Sequence, residues 1–133
     1  MIAGPLFEKK VSQTLMDQFG GRLRAAISGG AAINPKVAKV FCGLGMPVIQ
    51  GYGMTETSPV IAGNRLDDNQ PQTVGLPFTH VEVRLGEDNE IQVRGPSVMK
   101  GYWKRPKATA EAFTEDGWLH TGAVGSLSEA GHL

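Results

Sequence analysis

Residues 52–59 read Tyr-Gly-Met-Thr-Glu-Thr-Ser-Pro, and they follow a short apolar run at residues 47–50 that predicts a strand. A tyrosine ring can stack on a base, a threonine hydroxyl can donate to a phosphate oxygen, and a glutamate can bind Mg²⁺. Tyr52, Thr55 and Glu56 therefore predict half of a nucleotide site. The same composition also fits a polar, glycine-rich loop with a helix cap at Thr55 or Ser58.

A second glycine loop precedes this segment. The apolar-rich stretch at residues 23–27 predicts a strand, and it leads into Ser-Gly-Gly-Ala-Ala-Ile-Asn at residues 28–34. Asn34 is a good N-cap and Pro35 suits the first helical position, so a helix follows up to Gly45. The glycine pair, Gly29 and Gly30, fits either a ligand loop or an ordinary strand-to-helix turn.

The flanking segments predict further elements. An apolar stripe at Phe7, Val11, Leu15 and Phe19, with Met16 beside it, predicts a helix that ends at residues 20–21. Alternation at residues 81–85 and 91–93 around Gly-Glu-Asp-Asn predicts a β-hairpin. Residues 106–113 predict a short helix. Residues 118–120 and 124–127 predict two strands that Gly122 separates.

These elements predict a mixed α+β fold of two parts. Residues 1–66 form the α/β part with the nucleotide-site loops, residues 67–133 form a small, distorted antiparallel β-barrel subdomain, and residues 60–75 connect the halves. The charge changes at the same place, because residues 1–66 hold seven basic and three acidic side chains whereas residues 67–133 hold six and ten.

Composition excludes several classes of protein. Thirteen Lys and Arg balance thirteen Asp and Glu, which argues against a nucleic-acid partner. No apolar run reaches the length of about 18 residues that a membrane span needs. A single cysteine, Cys42, excludes an internal disulfide framework and predicts a reduced compartment, and its apolar neighbours predict a core position. Together with the absence of a long apolar run, this predicts a cytoplasmic location.

The segment at residues 52–59 resembles the core signature of the adenylate-forming superfamily. Three other segments resemble that superfamily in the same order, at residues 28–34, 90–113 and 117–125. The last two are most similar to those of long- and medium-chain fatty acyl-CoA synthetases. The resemblance covers nearly the whole chain from about Leu6 onward.

The resemblance implies a role for each matching residue. Gly29, Gly30 and Ala31 line the adenine and acyl pocket, Tyr52 stacks on adenine, Thr55 meets the α-phosphate and Glu56 ligates Mg²⁺. Thr55 and Glu56 are thus the catalytic candidates, and Glu56 is the metal ligand. The remaining expected ligand-binding residues are Gly51, Gly53, Met54 and Ala123.

In the implied reaction a fatty acid or other small carboxylate reacts with ATP to give acyl-AMP and pyrophosphate, and the thiol of coenzyme A then attacks acyl-AMP to give a thioester and release AMP. We expect the phosphate loop and the C-terminal domain with the adenylation lysine to lie outside this chain, so the chain alone should not complete the reaction. Ala123 stands where the family pattern has an aspartate that binds both ribose hydroxyls. A degenerate, non-catalytic nucleotide- or acyl-binding module and a peptide-synthetase adenylation domain remain as alternatives.

Other conspicuous side chains are given structural roles. Trp103 and Trp118 are expected to pack at barrel corners, and the three histidines lack metal-ligand spacing. The basic residues near Trp103 fit a solvated face better than a site for the phosphates of CoA; they are Lys100, Lys104, Arg105 and Lys107. Uncovered strand edges predict homodimerisation or aggregation, and peripheral membrane contact stays compatible with the sequence.

Overall fold

A computed structural model describes the backbone of residues 5–133 and the side chains from Lys9 onward. The predicted apolar position Phe7 lies outside the described side chains. The helices are α1 (Pro5–Gln18), α2 (Pro35–Gly43) and α3 (Pro106–Glu111). The strands are β1 (Ala26–Ser28), β2 (Val48–Gly53), β3 (Val60–Gly63), β4 (Leu76–Pro77), β5 (Glu82–Leu85), β6 (Glu90–Arg94) and β7 (Leu119–Val124).

The two longer helices begin and end where the sequence predicts, within two residues. Asn34 caps α2, because its side chain accepts a hydrogen bond from the Lys36 N–H at 2.9 Å. The predicted stripe on α1 is only partly right. Leu15 and Met16 pack against a core of Ala38, Met46 and Val48, whereas Phe19 is 54% exposed.

The first sheet has the order β1-β2-β3-β4, with β1 and β2 parallel and the other pairs antiparallel. Two sequence-based boundaries are wrong here. Strand β2 continues through Gly53, because Gly51 pairs with Gly63 and Gly53 pairs with Val60. For the same reason, residues 60–75 are not merely a connection, since they contain β3.

The second sheet has the order β5-β6-β7 and is antiparallel throughout. The predicted hairpin is confirmed as β5 and β6. The predicted break at Gly122 is wrong, because β7 passes through it as one strand with an irregular register opposite β6. The mixed α+β class is confirmed, and within the described residues the small antiparallel part is an open sheet, not a closed barrel.

One hydrophobic cluster joins the two sheets. Ile61 and Ala62 of β3 pack with Ile91 and Val93 of β6, and all four side chains are buried. Strand β4 follows residue 67 in the chain but completes the first sheet. The division into two parts at residues 66 and 67 stays a prediction. No helix in the described part of the chain is long and apolar enough to cross a membrane.

Candidate functional site

Most of the predicted ligand residues meet at one side of the first sheet, where β1 and β2 end. Strands β1 and β2 are parallel, so the residues that follow Ser28 and those at the end of β2 lie at the same edge. A cleft of about 410 Å³ opens there. Its lining includes residues 28–30 and 51–55, together with Ile27 and Val60. The resemblance implies that these two segments serve one pocket, and the structure places them together, while their ligand-binding roles stay a prediction.

A second cleft of about 270 Å³ is lined by residues 30–32, residues 50–53 and Val74. Residues 51–53 line both clefts, so the half-buried ring of Tyr52 belongs to each of them. Eight of the predicted ligand residues line one cleft or both: Gly29, Gly30, Ala31, Gly51, Tyr52, Gly53, Met54 and Thr55. Glu56 and Ala123 are not among the lining residues of either cleft.

Thr57 fixes the turn that carries Thr55 and Glu56. Residues 55–57 form one turn of 3₁₀ helix, and the Thr57 side chain is fully buried. Its hydroxyl lies 2.9 Å from the Met54 carbonyl and 2.8 Å from the Pro59 carbonyl, and it accepts from the Met54 N–H at 3.2 Å. This role of Thr57 is absent from the sequence-based predictions, although its position inside the signature is a usable signal.

Gln50 holds the first glycine loop against β2. This buried side chain accepts a hydrogen bond from the Ile33 N–H at 2.7 Å and donates to the Thr73 carbonyl at 3.1 Å. It therefore links residues 28–34 to the segment after β3. A polar residue at the end of an apolar strand is the only sequence signal for it, and local periodicity does not reveal its partners.

Glu56 has two contacts with the loop before α3. Its carboxylate Oε1 accepts a hydrogen bond from the Tyr102 hydroxyl at 2.8 Å, and its carbonyl accepts from the Met99 N–H at 2.7 Å. The Glu56 carboxylate raises the pKa of Tyr102, because the hydrogen bond and the negative charge favour the protonated phenol. Within residues 9–133 no lysine or arginine forms an ion pair with Glu56.

Ala123 lies in the irregular part of β7. Gln92 pairs with His120 and Glu90 pairs with Val124, so three residues of β7 face Ile91 alone. The Ala123 N–H donates to the Thr121 hydroxyl at 3.2 Å, and its methyl group packs against the cluster that includes Ile91. An alanine side chain has no hydrogen-bonding atom to offer a ligand here.

The two tryptophans differ in how far they are buried. Trp118 is buried and packs against the guanidinium groups of Arg84 and Arg94, each 4.5 Å from the ring centroid. The prediction that Trp103 packs in the same way is wrong, because Trp103 is 86% exposed, with the Lys104 ammonium 5.8 Å from its ring. The basic residues near Trp103 are also exposed, in line with a solvated face.

Two histidines and the cysteine have structural partners. His120 Nδ1 lies 2.7 Å from Glu90, and this hydrogen bond lowers the pKa of Glu90. Buried His132 lies 2.9 Å from Asp68. Cys42 is half-buried on α2, and its sulfur lies 3.6 Å from the Asn69 amide nitrogen.

Comparison with known families gives the class of protein to which this fold belongs. The family model of the AMP-binding enzymes matches residues 2–103. The chain therefore belongs to the AMP-binding enzyme family.

Two individual relatives within this family are named as enzymes that act on long-chain fatty acids or acyl groups. The chain is 40% identical over 128 residues to the long-chain-fatty-acid–CoA ligase FadD15 of Mycobacterium bovis, covering 96% of this chain and 21% of that protein. It is 38% identical over 147 residues to the peroxisomal long chain acyl-CoA synthetase 6 of Arabidopsis thaliana, covering 98% and 21%. The chain thus spans about a fifth of the length of these relatives.

A solved structure shares the fold. The crystal structure of ATP-bound MatB from Rhodopseudomonas palustris superposes with a TM-score of 0.80 at 31% identity. The superposition covers 96% of this chain and 28% of MatB.

Proposed function

We propose that this chain supplies the adenylate-binding part of an ATP-dependent fatty acyl-CoA ligase. The observation that carries the proposal is the pair of clefts at the β1 and β2 edge, where eight predicted ligand residues come together. The relatives support it, since two of them are named as long-chain CoA ligases and one related structure is described with ATP bound. The names also favour thioester formation over the chemistry of a peptide synthetase.

In this proposal the chain mainly binds and orients the reactants. Backbone at Gly29, Gly30 and Ala31 approaches a planar base, which needs residues without bulk, and Tyr52 stacks on the same base. The Thr55 hydroxyl donates to a phosphate oxygen. Gly51 and Gly53 line both clefts and Met54 lines the larger one, and the acyl group would lie against these three residues.

The first step brings two anions together, because a carboxylate must attack the α-phosphate of ATP. Donor hydroxyls and N–H groups reduce that repulsion and hold the reactants in line. Glu56 suits Mg²⁺, since it is a half-buried carboxylate whose hydrogen-bond donor, Tyr102, is neutral. When bound, the ion would offset phosphate charge. Coenzyme A is the proposed acceptor in the second step.

Ala123 favours a second candidate function, a binding module without catalysis. An aspartate at this position would accept hydrogen bonds from both ribose hydroxyls, whereas alanine accepts none. Hydrogen bonds to a charged acceptor are worth about 1.5–3 kcal/mol each, so two are worth roughly a hundredfold in affinity or more. The protein would then bind nucleotide weakly.

A calorimetric titration with a non-hydrolysable acyl-AMP analogue tests the site. We expect Ala123→Asp to bind the analogue about a hundredfold more tightly than the unchanged chain. Val124→Asp is the matched control, because it adds a carboxylate at the neighbouring, 74% exposed position. If Ala123→Asp binds no more tightly than Val124→Asp, the assignment of this position to the ribose is wrong.

Self-association is part of the same proposal. Strand β1 is an edge of the first sheet, and Ile27 on it is 82% exposed. We expect the chain to dimerise or aggregate at high concentration. A monomer mass that does not change with concentration in ultracentrifugation would contradict this.

A further inference from the structure

We propose that Tyr102 is a positioning residue for the Glu56 carboxylate. The inference rests on the proposed function, in which Glu56 is a metal ligand. It starts from a contact between residues 46 positions apart, in which the Tyr102 hydroxyl donates to Glu56 Oε1 at 2.8 Å. The Met99 N–H holds the backbone carbonyl of the same glutamate at 2.7 Å. The loop at residues 95–105 thus holds both the backbone and the side chain of Glu56.

Tyr102 is itself held in place. Its N–H donates to the Thr109 hydroxyl at 2.9 Å, and that hydroxyl donates to the Arg105 carbonyl at 2.9 Å. Gly101 permits this approach, because a Cβ there would lie 2.5 Å from Thr109 Cγ2, and its φ of 144° disfavours other residues. Thr109 of α3 therefore fixes the backbone position from which the Tyr102 side chain extends.

The chemistry of the donor explains why a tyrosine suits this place. A phenol is neutral at pH 7, so it can orient a carboxylate without cancelling its negative charge. A lysine or arginine would orient Glu56 equally well but would compete with a cation. The Oε1 atom of Glu56 accepts the hydrogen bond from the phenol, and Oε2 stays available as a metal ligand. Tyr102 is 41% exposed, so it is not retained for core packing.

Binding of Mn²⁺ tests the proposal, because Mn²⁺ accepts the same oxygen ligands as Mg²⁺. Electron paramagnetic resonance would measure free Mn²⁺ with the 133-residue chain, the Tyr102→Phe variant and the Trp103→Phe variant. We expect Tyr102→Phe to weaken Mn²⁺ binding about fivefold, in line with the net loss of one ordinary hydrogen bond at an exposed contact, where water replaces part of it. Trp103→Phe, which alters the neighbouring exposed ring, should leave the affinity unchanged. Equal affinity of Tyr102→Phe and the unchanged chain would overturn the proposal.

A double-mutant cycle separates this proposal from the proposed function. The unfolding equilibrium constant is measured for the unchanged chain, Tyr102→Phe, Glu56→Gln and the double variant. We expect Tyr102→Phe to change that constant about threefold more in the presence of Glu56 than in the Glu56→Gln background. Additive effects would overturn the positioning role. If the unchanged chain binds no Mn²⁺ but the cycle shows coupling, Tyr102 positions Glu56 and the metal assignment in the proposed function fails.

Discussion

The two sheets use their polar side chains in opposite ways. Around the first sheet, buried Gln50, Thr57 and Asn64 bond to backbone groups of neighbouring loops. On the second sheet, charged side chains pair with each other, as Arg84 does with Asp116 at 2.6 Å. Hydrogen bonds to the backbone fix the shape of a loop and leave the cleft open. Paired charges satisfy each other, so we infer that the first sheet supplies most of the ligand contacts and that the second sheet, apart from position 123, supports it.

The largest effect should come from a glycine that the first sheet needs for its own packing. A Cβ at Gly53 would lie 1.9 Å from the Pro59 carbonyl oxygen, whereas a Cβ at Gly29 would lie 3.7 Å from its nearest neighbour, the Gly51 carbonyl oxygen. We expect Gly53→Ala to lower the free energy of unfolding by about 3 kcal/mol or more. Urea denaturation measures this.

Gly29→Ala is the control, and it separates packing from binding. We expect it to change the free energy of unfolding by less than about 0.5 kcal/mol. In the Ala123→Asp background it should weaken binding of the acyl-AMP analogue, because the added methyl group would stand in the cleft. Normal analogue binding by Gly29→Ala would show that this glycine serves only the turn.

The next effect concerns the turn that carries Thr55 and Glu56. Thr57→Val keeps the shape of the side chain but leaves the Pro59 carbonyl and the Met54 N–H without their partner. We expect a loss of about 2 kcal/mol in the free energy of unfolding. Thr55→Val, at an exposed position, should cost much less. Equal losses in the two variants would contradict the assigned role of Thr57.

The smallest effect should appear in the second sheet at acid pH. The His120 hydrogen bond lowers the pKa of Glu90 below its ordinary 4.5, and the Gly122 N–H contributes. The stabilisation is therefore complete above about pH 4.5 and is lost as the pH falls through the folded-state value. Between neutral pH and acid pH this pair should contribute about 1 kcal/mol or less to the change in the free energy of unfolding, and Glu90→Gln should remove that contribution.

Urea midpoints between pH 2 and pH 7 would measure the acid dependence. Arg94 lowers the pKa of Glu82 in the same sheet, so some dependence should remain in Glu90→Gln. If the midpoints of Glu90→Gln and the unchanged chain fall in parallel with pH, the Glu90 pair does not stabilise the second sheet.

The sequence predicts well the features that depend on neighbours in the chain. The Asn34 cap of α2 and the hairpin of β5 and β6 are local, and both are confirmed. The full length of β2 is not local, because Gly53 continues the strand only by pairing with Val60 of β3. A glycine-rich segment without apolar alternation resembles a loop until its partner strand is known.

Long-range contacts also limit how much of the candidate site can be predicted from the sequence. Residues 28–31 and residues 51–55 lie together because the parallel strands β1 and β2 end on the same side of the first sheet, and the resemblance to the adenylate-forming superfamily implies that both segments serve one pocket. The contact of Glu56 with Tyr102 joins residues 46 positions apart, and no spacing pattern indicates it. Trp103 shows the converse, since a large aromatic residue predicts packing but this one is 86% exposed.

The central claim is that residues 28–31 and 51–55, at the first sheet, form the main contact surface for the adenylate, to which position 123 of the second sheet adds the ribose contact. The most direct measurement follows backbone amide chemical shifts of the Ala123→Asp variant during titration with the acyl-AMP analogue. We predict that the largest changes occur at residues 28–31 and 51–55, with small changes in the hairpin turn at residues 86–89. Changes centred on that hairpin, with none at the two glycine segments, would contradict the account.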